Sequence, residues 1–226
     1  MSIGVVIPAA GQGKRMKTKK NKQYLELLDR PVLAHTLEVF VHCPQIDQVV
    51  VVVHPHEIDY CKKNVINKYF EEDIKIVAGG KTRRESVYAG LTSFSPVIDY
   101  VIVHDGARPL VTDNLLNKVI KEVQVDDAVT PGITLKDTVK EVNQQNFVAK
   151  TLDRRSLMAV QTPQAFLYKD IVDAHNKVPE DYNVTDDASL IELMGKKVKI
   201  VEGSYHNIKI TTPIDLVIAE YLLKQR

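Results

Sequence analysis

The chain has 226 residues, with 30 Lys and Arg against 29 Asp and Glu, a net charge of +1, and 44% hydrophobic residues. This composition excludes disorder, and near-neutrality excludes a nucleic-acid binder that works through bulk positive charge. Cys43 and Cys61 are too few for a disulfide framework or a Cys-rich zinc module. No apolar run approaches the ~20 residues of a membrane span, so a cytoplasmic protein is expected.

Short apolar runs alternate with amphipathic stretches, the pattern of a mostly parallel sheet covered by helices. Strands are expected at Ile3 to Ala9, Val49 to Val53, Ile74 to Val77 and Tyr100 to Val103. The all-valine second run predicts burial on both faces. Between them, helices are expected from Pro31 through Val41, from Pro55 to Tyr69 and from Arg83 to Leu91. Further on, Thr112 to Val123 reads as a helix capped by Thr112 or Asp113. Thr138 to Val142 and Phe147 to Leu152 read as two strands joined by the polar turn Asn143 to Asn146. Helices at Leu167 to Asn176, from Thr185, and from Pro213 onward, with a strand at Val198 to Val201, complete the reading. One domain over 1–226 is expected, carrying an inserted hairpin at about 136–155 that needs something to pack against.

The chemistry concentrates at strand ends. The first strand runs into Pro8-Ala9-Ala10-Gly11-Gln12-Gly13-Lys14-Arg15-Met16. Its small residues admit a bulky ligand close to the backbone, and ligands of open α/β sheets sit outside the carboxyl ends of strands. Lys14, Arg15, Lys17, Lys19, Lys20 and Lys22 follow without an acid, a local charge suited to a polyphosphate. The loop is no dinucleotide fingerprint, because Met16 stands where the third glycine belongs. Gly80-Lys81-Thr82 is no P-loop, because Lys75 stands where its first glycine belongs. Gly80, Arg83 and Ser86 occupy a strand-to-helix junction, either as a nucleotide contact or as a tight turn with Ser86 packed on the helix. Asp105, beside Gly106 after the fourth strand, is either a Mg²⁺ ligand or a turn partner of Arg108. Lys209, between Ile208 and Ile210, reads as a strand residue, whose usual fate is solvent. Thr185, ahead of two acids, suits a helix cap.

Taken in order, these stretches resemble one family, the 2-C-methyl-D-erythritol 4-phosphate cytidylyltransferases. They are Pro8–Met16, Asn21–Tyr24, Gly79–Val87, Val103–Pro109, Asp137-Thr138, Gln161–Gln164, Thr185–Leu190 and Asn207–Pro213. The resemblance implies a glycosyltransferase-A-like, Rossmann-like α/β fold and a homodimer in which the hairpin arm reaches the partner. It also implies transfer of CMP from CTP to 2-C-methyl-D-erythritol 4-phosphate with a divalent cation, Mg²⁺. Carried onto this chain, it gives Arg15, Lys22, Arg154 and Lys209 catalytic roles. Ala9, Ala10, Gly11, Gly13, Gly80, Arg83, Ser86 and Gly106 would line the nucleotide site. Arg108, Thr138 and Thr185 would bind the polyol phosphate, and Asp105 the metal. A ribitol-5-phosphate cytidylyltransferase and a non-catalytic nucleotide-binding homologue are the alternatives. The first is disfavoured by Pro8-Ala9-Ala10-Gly11 in place of Leu-Ala-Gly-Gly, the second by the charged positions being present.

Overall fold

The computed structural model describes residues 1–11, 16, 21–94, 98–179, 182 and 184–226; Gly13 and Arg15 lie outside the described residues. Strand β1 (Ile3–Pro8) is followed by a short 3₁₀ turn (Lys22–Tyr24) and a minimal pair, β2 (Glu26–Leu27) and β3 (Arg30–Pro31). Helix α1 (Val32–Val41), β4 (Gln48–Val53), β5 (Ile74–Ala78), α4 (Arg83–Leu91) and β6 (Tyr100–Val103) fall where the apolar spacing predicts. Residues 55–69 depart from the single helix expected there. A 3₁₀ turn (Pro55–Glu57) leads into α2 (Ile58–Cys61), a π turn (Lys62–Ile66) and α3 (Asn67–Tyr69). The π turn adds a residue to the repeat, which apolar spacing alone does not register.

Beyond β6, α5 (Asp113–Asp126) is capped by Thr112, whose hydroxyl accepts from the Leu115 amide. Then come β7 (Ala128–Thr134), the hairpin β8 (Lys140–Val142) and β9 (Val148–Thr151), β10 (Met158–Val160) and β11 (Gln164–Leu167). Three of these, β7, β10 and β11, are additions to the sequence reading, and Leu167 closes β11 rather than opening α6 (Tyr168–Lys177). Strand β7 carries Pro131 and Gly132, residues that ordinarily argue against a strand interior. Gly132 is needed here because a Cβ would come within 3.0 Å of Ile200 and 3.3 Å of Met158. Helix α7 (Asp187–Leu193) starts two residues later than expected. Its cap is Asp186, which accepts from the Ser189 amide, so Thr185 lies outside the cap. Strand β12 (Lys199–Glu202) and α8 (Pro213–Lys224) complete the chain, and Lys209 lies in irregular backbone rather than in a strand.

In space the sheet runs β5-β4-β1-β6-β11-β7, with β10 and β12 both paired to β7. The β5-β4-β1-β6 half is parallel and β11 enters antiparallel. Alternate residues of β1 and β4 feed two cores. Val5, Ile7, Val51 and Val53 face α1 and α5, and Val6, Val50 and Val52 face α4 and α6. That explains the unbroken valine run. Because β4 and β6 lie on opposite sides of β1, the order reverses there, and a crevice opens at the carboxyl ends of β1 and β6. Among the described residues, no helix is long and apolar enough to cross a membrane.

Candidate active site

The crevice is built from four segments that meet beyond these strand ends. Ala9 donates its amide to Val52 (2.7 Å) and Gly106 donates to Pro8 (3.2 Å), which fixes the β1 and β6 loops side by side. Gly106 is required by this contact, since a Cβ would stand 3.0 Å from that of Ala9. A Cβ on Gly11 would meet nothing within 4 Å among the described residues, so its small size leaves open space along the cleft. Ala9, Ala10, Gly11, Lys22, Gly80, Arg83, Ser86, Asp105, Gly106 and Lys209 all line one recess.

The junction before α4 is both of the things its sequence allowed. Thr82 caps the helix by accepting from the Glu85 amide (3.1 Å). The Ser86 hydroxyl donates to the Thr82 carbonyl (2.8 Å) and accepts from the Gly80 amide (3.2 Å). Ser86 thus staples the loop that borders the cleft.

Asp105 sits at the centre, 8% exposed. Its Oδ2 meets Lys209 Nζ at 2.8 Å and Arg108 Nε at 3.4 Å, while Oδ1 meets Arg83 Nε at 3.5 Å. Burial raises its pKa, but Lys209, Arg83 and Arg108 outweigh burial and hold the carboxyl well below the usual range. Arg83 continues to the buried Asp187 (2.7 Å); burial lowers its pKa, and Asp187 and Asp105 reverse that and raise it. Three cations therefore surround two carboxylates, and Lys22 adds a fourth to the cleft wall, so the cleft favours an anionic ligand.

A second recess shares this wall. Arg83, Asp105 and Lys209 line it together with Arg108, Gln161, Thr162, Gln164, Thr185 and Asp186. Arg108 donates to the Asn207 main-chain carbonyl (2.7 Å), and the buried Asn207 side-chain NH₂ donates to the Thr162 carbonyl (2.8 Å). Ile210 donates to Ala107 (2.8 Å), and Lys22 Nζ donates to the Ile210 carbonyl (2.9 Å). The segment carrying Lys209 is thereby pinned across both recesses. Two anions bound side by side would meet the same three charged groups.

Thr138 and Arg154 are exposed and line neither recess of their own chain; Arg154 donates to the Lys136 carbonyl at the hairpin base. Sequence reasoning passed over the roles of Asp187 and Gln164. Asp187 holds Arg83, and the Gln164 side-chain Oε1 accepts from the Asp187 and Ala188 backbone amides (3.2 Å each). Their signal was polarity amid apolar neighbours, which does not name a partner.

His104 is fully buried behind Asp105. The Thr162 hydroxyl accepts from the Asp105 amide and so donates to His104 Nδ1, leaving Nε2–H to donate to the Arg108 carbonyl (3.1 Å each). The ring is neutral, its pKa lowered to about 4, chiefly by burial. The unfolded chain binds this proton below about pH 6.5 and the folded chain does not, so stability falls as pH drops from 6.5 toward 4. Between pH 7 and pH 5 this one group should cost about 2 kcal/mol. Urea titrations at both values should show a smaller pH dependence in His104→Gln; an unchanged dependence would mean that the histidine is protonated in the fold.

Among the described residues there is no cluster of three or more His, Cys, Asp or Glu able to hold a metal. A lone carboxylate still fits Mg²⁺, which takes one or two carboxylates and completes its shell with phosphate oxygens and water.

Comparison with known proteins matches the chain over its whole length. The profile of the family described as 2-C-methyl-D-erythritol 4-phosphate cytidylyltransferase matches residues 3–225. The chain is 44% identical to the protein of that name from Caldanaerobacter subterraneus subsp. tengcongensis, covering all of both chains. It is 46% identical to the one from Desulforamulus reducens, covering 100% of this chain and 97% of the relative. The crystal structure of 4-diphosphocytidyl-2C-methyl-D-erythritol synthase from Anaerococcus prevotii superposes with a TM-score of 0.88 at 36% identity, covering 100% of this chain and 96% of the other. With the match running end to end, the chain belongs to the 2-C-methyl-D-erythritol 4-phosphate cytidylyltransferase family.

Proposed function

We propose that the two joined recesses are where this chain performs its family's reaction. CMP passes from CTP to 2-C-methyl-D-erythritol 4-phosphate, giving 4-diphosphocytidyl-2-C-methyl-D-erythritol and pyrophosphate. The observation that carries the assignment is the shared wall of Arg83, Asp105 and Lys209 between two anion-favouring recesses. CTP lies against Ala9, Ala10, Gly11, Gly80, Ser86 and Gly106, and Gly13 and Arg15, outside the described residues, keep the nucleotide-binding and catalytic roles that the family resemblance implies. The polyol phosphate lies against Arg108 and Thr185.

A phosphate oxygen of the acceptor attacks the α-phosphorus, and the bond from that phosphorus to the β-phosphate oxygen breaks. The nucleophile is already an anion, so no general base is required. The barrier lies in bringing two polyanions together and in the charge that grows on the equatorial oxygens. Lys22, Arg15 and Lys209 answer that charge, while Arg83 and Arg108 orient the phosphates. Asp105 would hold Mg²⁺, which when bound neutralises phosphate charge beside these cations.

The arm residues Thr138 and Arg154 are assigned to the acceptor site of a partner subunit in a homodimer. The exposed Phe147 (72%) and Val148 (60%) give the hairpin an apolar tip for such a contact. A monomer in sedimentation at assay concentrations would remove this reading. Cytoplasmic localisation follows from the soluble substrates.

Pyrophosphate release measured across four nucleoside triphosphates and several polyol phosphates tests the function. CTP with 2-C-methyl-D-erythritol 4-phosphate should exceed every other pair by at least about 100-fold. Preference for ribitol 5-phosphate, or no release with any pair, would overturn it.

A further inference from the structure

Lys22 reaches the cleft from a short turn whose other side chains converge elsewhere. Asn21 donates its side-chain amide to Glu57 Oε1, and Gln23 donates to Glu57 Oε2 (3.4 Å) and to the Ala9 carbonyl (2.7 Å). Gln23 is 2% exposed, so its amide is committed to these two acceptors. The hydroxyl of Tyr24 is buried; burial chiefly, then Cys61 and Glu57, raises its pKa. Asn21 and Gln23 thus both hold one carboxylate, and Lys22 between them carries its charge to the cleft. Glu57 itself ends the 3₁₀ turn after β4, the strand whose Val52 carbonyl holds the Ala9 amide.

We propose that Glu57 is a positioning residue for CMP transfer: its carboxylate clasps Asn21 and Gln23 on either side of Lys22 and so fixes where the Lys22 ammonium stands in the cleft. The proposal rests on the catalytic reading of Lys22. The geometry favours an acid over any neutral residue at position 57. Both carboxylate oxygens accept, whereas a glutamine would turn one –NH₂ group toward a donor amide, leaving two donors face to face. Electrostatic catalysis depends on donors held in place before the reaction, so a displaced ammonium loses transition-state stabilisation without losing its charge.

The test combines kinetics with labelling. Glu57→Gln should lower kcat about tenfold in the otherwise unchanged enzyme and less than about twofold when Lys22 is already alanine, because residues that act through one another are non-additive. Equal fold-losses in both backgrounds would overturn the proposal and make Glu57 a structural residue. Acetylation by an N-hydroxysuccinimide ester, followed by mass spectrometry, reads the position of Lys22 without reference to activity. Lys22 should label at least about threefold faster in Glu57→Gln, with Lys209 unchanged. Unchanged labelling of Lys22 would overturn the positioning role. Faster labelling with unaltered kcat would instead support that role and refute the catalytic reading of Lys22. If Glu57→Gln fails to fold, Asn21→Leu removes one arm of the clasp with Glu57 intact, and the same two readouts should move in the same directions.

Discussion

Asp105→Asn is expected to lower turnover by about 1,000-fold or more while leaving the binding of CTP in the absence of metal unweakened. The two effects have one origin. Asp105 is an anion in a cleft that otherwise gathers cations, touching Lys209, Arg108 and Arg83 within 3.5 Å. Removing its charge leaves those cations free to attract a triphosphate, yet it deletes the carboxylate proposed to hold Mg²⁺ and scatters the groups it aligned. Breaking such a paired, largely buried ion also costs stability, about 2–4 kcal/mol, at the lower side of the usual range because Lys209 is partly solvated. Pyrophosphate release gives the first effect, calorimetric CTP binding in a chelator the second, and urea unfolding the third. Turnover within tenfold of the parent, or a loss of metal-free CTP affinity as large as the loss of turnover, would show that Asp105 acts only as a structural turn.

The second large effect is expected for Lys22→Ala, a fall in kcat of about 100- to 1,000-fold with the CTP dissociation constant changed by less than about threefold. Here Lys22 Nζ holds the Ile210 carbonyl, and in the proposed reaction it leaves that carbonyl for phosphate, an exchange worth most when charge builds on the reacting phosphoryl group. An interaction that strengthens only in the transition state lowers kcat rather than affinity. Lys22→Arg should recover little, because a planar guanidinium does not reproduce the compact ammonium that bonds the Ile210 carbonyl from a backbone fixed at Asn21 and Gln23. Equal turnover in Lys22→Ala would remove Lys22 from the mechanism.

The parallel half of the sheet was legible because each element there is made by local pattern. Val49 to Val53 can be buried on both faces only as a central strand, and the α1 residues Leu33, Leu37 and Phe40 lie one helical turn apart on the core side. The antiparallel half was not, because β7 carries Pro131 and Gly132 and β11 carries Gln164, residues whose placement depends on neighbours distant in sequence. Site residues followed the same division. Asp105 and Gly106 are announced by the end of a buried strand. Lys209 reads locally as an alternating strand residue and becomes a site residue only because Ile210 and Asn207 are tied to Ala107 and Thr162. Glu57 gave no signal at all, since its partners Asn21 and Gln23 lie 36 and 34 positions away. The net charge of +1 conceals the cleft for a related reason: it averages over acids and bases that folding separates.

The central claim is that positioned charge alone drives a single in-line displacement, with no nucleophile supplied by the protein. Among the described residues, the two hydroxyls that line the first recess are already engaged, Ser86 by Thr82 and Gly80 and Thr82 by the Glu85 amide. The stereochemical course at the α-phosphorus tests this most directly, using CTP made chiral there by sulfur substitution and analysing the configuration of the thio-product. One displacement predicts complete inversion; retention would require a covalent nucleotidyl-enzyme intermediate and would contradict the account.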